Sequence, residues 1–182
     1  MHETDFNSVS YRLEAPVGWQ SLPPHSATVL QEWMYTNAVL LHALATMETQ
    51  PPERDKETSS EIERIEVKLD LALNLLARLL AQHAPKPEPS PATLSASLIE
   101  WIGHGPAPAV GSEILISLFI NPQLAQPLLL PAKVNVALPV VGGTRIVAEF
   151  TQLSEEVGEW LERTVFRNHR RFIQAMHDGN RN

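Results

Sequence analysis

The residue types that most often do chemistry are thinly spread along this chain. None of its 182 residues is cysteine, which removes thiolate nucleophiles, disulfides and cysteine metal sites. No Gly-x-Ser-x-Gly elbow, phosphate-cradling glycine loop or dinucleotide fingerprint occurs, and the seven histidines lack metal-ligand spacing. His104, flanked by Gly103 and Gly105, reads as a solvated loop histidine. Glu155 and Glu156 are adjacent carboxylates, but at the start of a helix two acids complement the dipole. The densest run of one charge is Arg163, Arg167, Arg170 and Arg171. These arginines read either as a solvated face that suits a helix C-terminus or as a surface for an anionic partner. Nothing in these patterns demands catalysis, and no cofactor or metal is expected.

Composition narrows the classes further. With 43% hydrophobic and 19% charged residues, the chain resembles an ordinary folded soluble protein able to bury one sizeable core. No run approaches the ~18 uninterrupted apolar residues of a membrane span. The opening MHETDFNSVS carries two acids and no apolar core, unlike a secretory signal. A cytoplasmic setting is therefore expected, without membrane insertion. The formal net charge of −7 disfavours binding to a nucleic acid polymer, which needs a basic surface.

Four stretches differ in pattern. In residues 1–25, Tyr11, Leu13, Ala15, Val17 and Trp19 alternate with other residues. That period predicts a strand at about 9–15, with Pro16 marking an edge or a break, followed by a turn. Residues 26–83 read as two helices. Leu30, Trp33, Asn37, Leu40, Leu44 and Met47 alternate spacings of three and four in the first, a heptad with one polar seam position. The second opens on the capping box Ser60-x-x-Glu63 and carries Ile62, Ile65, Leu69, Ala72, Leu76 and Leu79 at the same spacing. Leu73, Leu75 and Leu80 widen its apolar surface beyond what one neighbour covers. Two arrangements fit: a hairpin lying on its own domain, or a coiled coil between copies in which Asn37 sets register. Leu69 at an a position and Ile65 at a d position favour a tetramer over a dimer.

Residues 84–92 have proline at every second position from Pro85 to Pro91, the mark of a stiff, extended linker. Residues 93–182 are β-rich and then helical. Strands are expected at Thr93–Trp101 and Glu113–Ile120, and Lys133–Leu138 alternates cleanly. Gly142-Gly143 supplies a tight hairpin, and Thr144–Phe150 returns from it. A helix is expected from Ser154 to about Met176, with Trp160, Val165, Phe172 and Ile173 as its apolar face. The fold class is α+β: an antiparallel barrel with a C-terminal helix, plus a two-helix heptad segment.

The order of parts over residues 93–176 resembles the PilZ domain, the bacterial receptor fold for cyclic di-GMP. The ending Ile146-Val-Ala-Glu-Phe150-Thr-Gln-Leu-Ser154, a strand closing on Phe before a Leu-Ser turn and a helix, carries most of that resemblance. The heptad helices look similar to those of the atypical tetrameric PilZ proteins of xanthomonads. Ligand-binding members carry Arg-x-x-x-Arg before the barrel and [Asp/Asn]-x-Ser-x-x-Gly on its first strand. Here the only upstream candidate is Arg78, with Asn74 and Gln82 four residues to either side. The strand motif reads Thr93, Ser95 and Leu98. Each missing arginine contact would forfeit roughly 1.5–3 kcal/mol of charge-assisted hydrogen bonding. The resemblance therefore implies a non-enzymatic adaptor in which cyclic di-GMP binding is weak or absent. Its partners would be itself and other signalling or pilus-related proteins, in motility, type IV pilus assembly or virulence regulation. The rival reading is a cyclic di-GMP receptor with a non-standard site.

Overall fold

A computed structural model describes residues 9–48, 65, 69, 72, 86–121 and 126–179. Six strands form a closed antiparallel barrel in the order β1-β2-β3-β6-β5-β4. They are β1 (Ser10–Ser21), β2 (Pro89–Ser95), β3 (Leu98–Gly103), β4 (Glu113–Leu118), β5 (Leu128–Val140) and β6 (Gly143–Phe150). Helix α1 (Ala27–Glu48) leaves β1, and helix α2 (Glu155–Gly179) follows β6. Alternation builds the core, because side chains at every second strand position share a face. Ala15, Val17, Leu94, Ile99, Trp101, Ile116, Leu130, Val134 and Ile146 are among those that fill the interior.

β1 is longer than its expected span of about 9–15, because Pro16 interrupts nothing. Ser10–Pro16 pair with β2, and Val17–Ser21 pair with β4. The strand changes neighbour at the proline, where a missing N–H costs no ladder bond, while the Pro16 carbonyl still accepts from the Phe119 N–H at 3.1 Å. The expected linker at 84–92 also needs correction, since Pro89–Ala92 belong to β2. Pro89 lies opposite Pro16 and Pro91 opposite Glu14. Prolines two apart place their absent donors along one edge, and pairing with β3 begins only at Ala92. Proline at alternate positions is thus compatible with a strand paired fully on one side.

The single strand expected at Thr93–Trp101 is two. The Ser95 hydroxyl accepts from the Leu98 N–H at 3.0 Å and the Ser97 N–H at 3.3 Å, and donates to the Leu98 carbonyl at 3.2 Å. A Ser hydroxyl that takes local main-chain groups makes a turn without glycine or proline. The Gly-Gly hairpin forms as expected, with Gly142 at φ 89°. Both helices start on a serine cap: Ser26 Oγ accepts from the Val29 N–H and Ser154 Oγ from the Val157 N–H, each at 3.3 Å.

The two helices run side by side in the same direction. His42 meets Trp160 edge-on at 5.1 Å, and Arg167 donates to the Ala45 carbonyl at 3.4 Å. α1 also leans on β5, and α2 on β1 and β2. Near their starts, His25 stacks at 5.3 Å on Trp33 and bonds the Pro23 carbonyl at 3.0 Å and Gln152 Oε1 at 2.9 Å. Those two hydrogen bonds, the Pro23 one first, raise the His25 pKa above its ordinary value.

Asn37 requires the plainest correction. It is fully buried and faces the barrel. Its amide donates to the Leu129 carbonyl at 2.7 Å and accepts from the Leu129 N–H at 2.9 Å. Both main-chain groups of that β5 residue are met by one side chain, so Asn37 docks α1 on its own barrel and is no seam residue between helices. Met34, Ala38, Leu41 and Leu44 are buried with it, and Leu30, Trp33 and Leu40 pack partly against the same core. The side chain of Met47 lies outside the described residues. Replacing Asn37 by Ala strands both Leu129 groups and should lower the unfolding free energy by about 2–3 kcal/mol. Urea denaturation measures this, and an unchanged midpoint would contradict the docking role.

Candidate functional site

Thr93, Ser95 and Leu98, the positions read against the ligand motif in sequence, fall on the β2–β3 hairpin. Thr93 lies on one rung with Arg12 of β1, Glu100 of β3 and, one strand further, Val147 of β6. This outward face holds a cavity of about 360 Å³ lined by residues including Arg12, Thr93, Glu100 and Ile102. Its size falls within the range of small-molecule sites, but its chemistry is already internally matched. Arg145 of β6 grips Glu100 with both arms, Nε to Oε1 at 2.9 Å and Nη2 to Oε2 at 2.8 Å. That pairing raises the Arg145 pKa further. The planar fork that would suit a phosphate is filled by a carboxylate of the same chain.

Ser95 is fully buried and its hydroxyl is used within its own turn, so it presents nothing to a ligand on this face. Leu98 stands opposite Glu149 across the β3–β6 ladder, half-buried. Arg78 lies outside the described residues. So do Ile62, Leu76 and Leu79 of the second heptad. Ile65, Leu69 and Ala72 are described, and each is helical and exposed, with Ile65 at 64% and Leu69 at 56%.

The arginine cluster does come together. A groove of about 470 Å³ runs along the second half of α2, and among the described residues it is lined by Arg163, Arg167, Arg170 and Arg171 together with Glu162, Phe166 and Gln174. Arg163 pairs with Glu159 at 3.2 Å on the surface and lies 5.0 Å over the Trp160 ring. Arg167 satisfies a carbonyl in the last turn of α1, one of the acceptors that helix geometry leaves open. Phe166, half exposed, was not legible as a site residue, although its spacing of three from Arg163 places both on one helix face. Phe172 and Ile173, expected to turn inward, remain 49% and 41% exposed, because buried Val157, Leu161 and Val165 already supply the contact with the barrel. Glu155 and Glu156 occupy the first turn of α2. His104 is exposed and lines a smaller cavity of about 280 Å³ beside Glu88 and Ser90. Among the described residues, no three metal-ligating side chains gather.

A family model described as an atypical PilZ domain, cyclic di-GMP receptor, matches residues 41–177. The chain belongs to this atypical PilZ family. Among solved structures it is similar to a pathogenic protein from Xanthomonas campestris, described as a new tetrameric PilZ domain self-assembled via an unusual helical bundle. The two share 26% identity with a TM-score of 0.72 over 92% of each chain. No curated protein matches. In this barrel Ser95 closes the β2–β3 turn and Arg145 is engaged by Glu100. Replacing Ser95 by Ala should cost about 1–2 kcal/mol of stability and leave the oligomeric state unchanged. Thermal melts and light scattering report the two quantities, and an altered assembly with unchanged stability would reverse this assignment.

Proposed function

We propose that this PilZ protein is a non-enzymatic adaptor of cyclic di-GMP signalling that self-assembles through heptad positions and acts by contacting other proteins. The observation that carries this reading is the state of the usual ligand face. Ser95 is consumed by the β2–β3 turn, Arg145 is held by Glu100, and Leu98 stands where the family motif has glycine. A doubly charged dinucleotide would have to displace a bidentate ion pair to gain the Arg145 guanidinium. Self-assembly is supported by Ile65 and Leu69, large apolar side chains on the second heptad that the chain leaves in solvent. The tetrameric description of the Xanthomonas neighbour points the same way, and we favour a tetramer over a dimer. The proposed setting is cytoplasmic, in motility, type IV pilus assembly or virulence regulation, with other signalling or pilus-related proteins as partners.

A second reading keeps the chain as a receptor with a non-standard site, favoured by the family description and by the arginine-lined groove on α2. Titration calorimetry with cyclic di-GMP separates the two. The adaptor reading predicts no saturable heat, and a dissociation constant below about ten micromolar would favour the receptor.

Assembly has its own test. Light scattering should give a multiple of the 20.2 kDa chain, and Leu69→Glu with Leu76→Glu should dissociate it by placing charges in a dry seam. A monomeric unaltered chain would contradict self-assembly.

A further inference from the structure

Strands β2 and β3 part before they end. Their ladder runs from Leu94–Ile99 to Ala92–Trp101, and the next rung on that face, Ser90 with Gly103, is not formed. From the other side β1 holds Ser90 opposite Ala15, then leaves for β4 at Val17. Where the strands separate, the barrel mouth holds a cavity of about 280 Å³, with Val17, Pro87, Glu88, Ser90, Ile102 and His104 in its lining. Barrel mouths are a recurrent place for small ligands, and this one is small.

Ser90 sets the chemistry. It is 3% exposed and lies on the same strand face as Ala92 and Leu94 of the core. Its hydroxyl has no hydrogen-bond partner among the described residues, although nearly all buried polar groups have one. Among those residues only Thr151 Oγ1 is both unpartnered and sealed from solvent. The Ser90 hydroxyl therefore opens into the cavity it lines. The walls around it are held in place. Pro87 packs on β1 so closely that a Cβ on Gly18 would stand 3.2 Å from its Cγ. Lys86 is drawn over the Phe119 ring at 4.9 Å and takes no part in the lining. Glu88 is then the one formal charge there.

A carboxylate, a hydroxyl and an imidazole beside Val17, Ile102 and Pro87 match a ligand that is positive, rich in donors and carried on a short apolar stem. An ammonium group brings three donors and no acceptor. A phosphate would meet a like charge. We propose that this barrel mouth binds a primary alkylammonium group, which donates to the Glu88 carboxylate and the Ser90 hydroxyl while its methylenes lie on Val17 and Ile102. Two sources carry that chemistry, a small free amine and a lysine side chain of another protein. The site stands independently of the self-assembly proposed above.

Saturation-transfer NMR on the full chain at pH 7, where amines are charged, tests the site with n-butylamine and with Nα-acetyl-lysine N-methylamide. Saturable binding of n-butylamine is expected with a dissociation constant of about one millimolar. The uncharged n-butanol should bind at least ten-fold more weakly. Glu88→Gln, at an exposed position, should weaken n-butylamine about ten-fold, and Ser90→Ala about three-fold or more. Ser90→Ala should also melt where the unaltered chain does, since its hydroxyl has no partner to lose. Equal binding of the lysine derivative assigns the site to a protein side chain, and its exclusion assigns it to free amines. The proposal is overturned if n-butylamine shows no saturable binding up to about fifty millimolar, if n-butanol binds as well, or if either variant binds n-butylamine as tightly as the unaltered chain.

Discussion

Strand β1 hydrogen-bonds to β2 through Ser10–Pro16 and to β4 through Val17–Ser21, and the ring of strands closes through this one divided partnership. An open six-stranded sheet would expose two edges, each a row of unmet N–H and carbonyl groups. Closure also fixes where the helical segment sits. β1 and β2 are neighbours in the barrel but are separated in sequence by residues 22–88, so everything between them is an insertion with both ends pinned to adjacent strands. Asn37 then ties the first helix of that insertion to β5 across the barrel.

This anchoring divides labour between the two heptads. They look alike in sequence, yet α1 spends its stripe on its own core, leaving Tyr35 and Val39 as its large exposed apolar residues. The second heptad presents Ile65 and Leu69 to solvent. The β2–β3 face tells the complementary story. The bidentate Arg145–Glu100 pair and the enclosed Ser95 hydroxyl spend their hydrogen bonds within the barrel.

Local signals made much of this visible in the amino-acid sequence. The alternation of Lys133–Leu138, the Gly142-Gly143 turn and the Ser154-capped helix each depend on residues a few positions apart, and each is found close to its expected place. The misjudged features depend on tertiary context. A heptad records which residues share a helix face, not whether that face meets a helix or a sheet, so Asn37 looked like a register residue. Alternating prolines read as a free extended linker because pairing with β1, some seventy residues earlier in the chain, is invisible locally. The turn at Ser95 has no glycine or proline to mark it. For the site, Thr93, Ser95 and Leu98 are singled out in sequence only by comparison with a family pattern. The engagement of Arg145 by Glu100 was not, because nothing in sequence joins positions 100 and 145.

The absence of native cysteine allows a direct measurement of the central claim, that assembly proceeds without cyclic di-GMP. Val141 lies fully exposed at the tip of the β5–β6 hairpin and belongs to neither heptad. A spin label on Val141→Cys reports distances between barrels by pulsed dipolar spectroscopy without touching a seam. We predict a defined inter-barrel distance distribution that is unchanged when cyclic di-GMP is added in large excess. A distribution that appears, vanishes or shifts at micromolar dinucleotide would contradict the account.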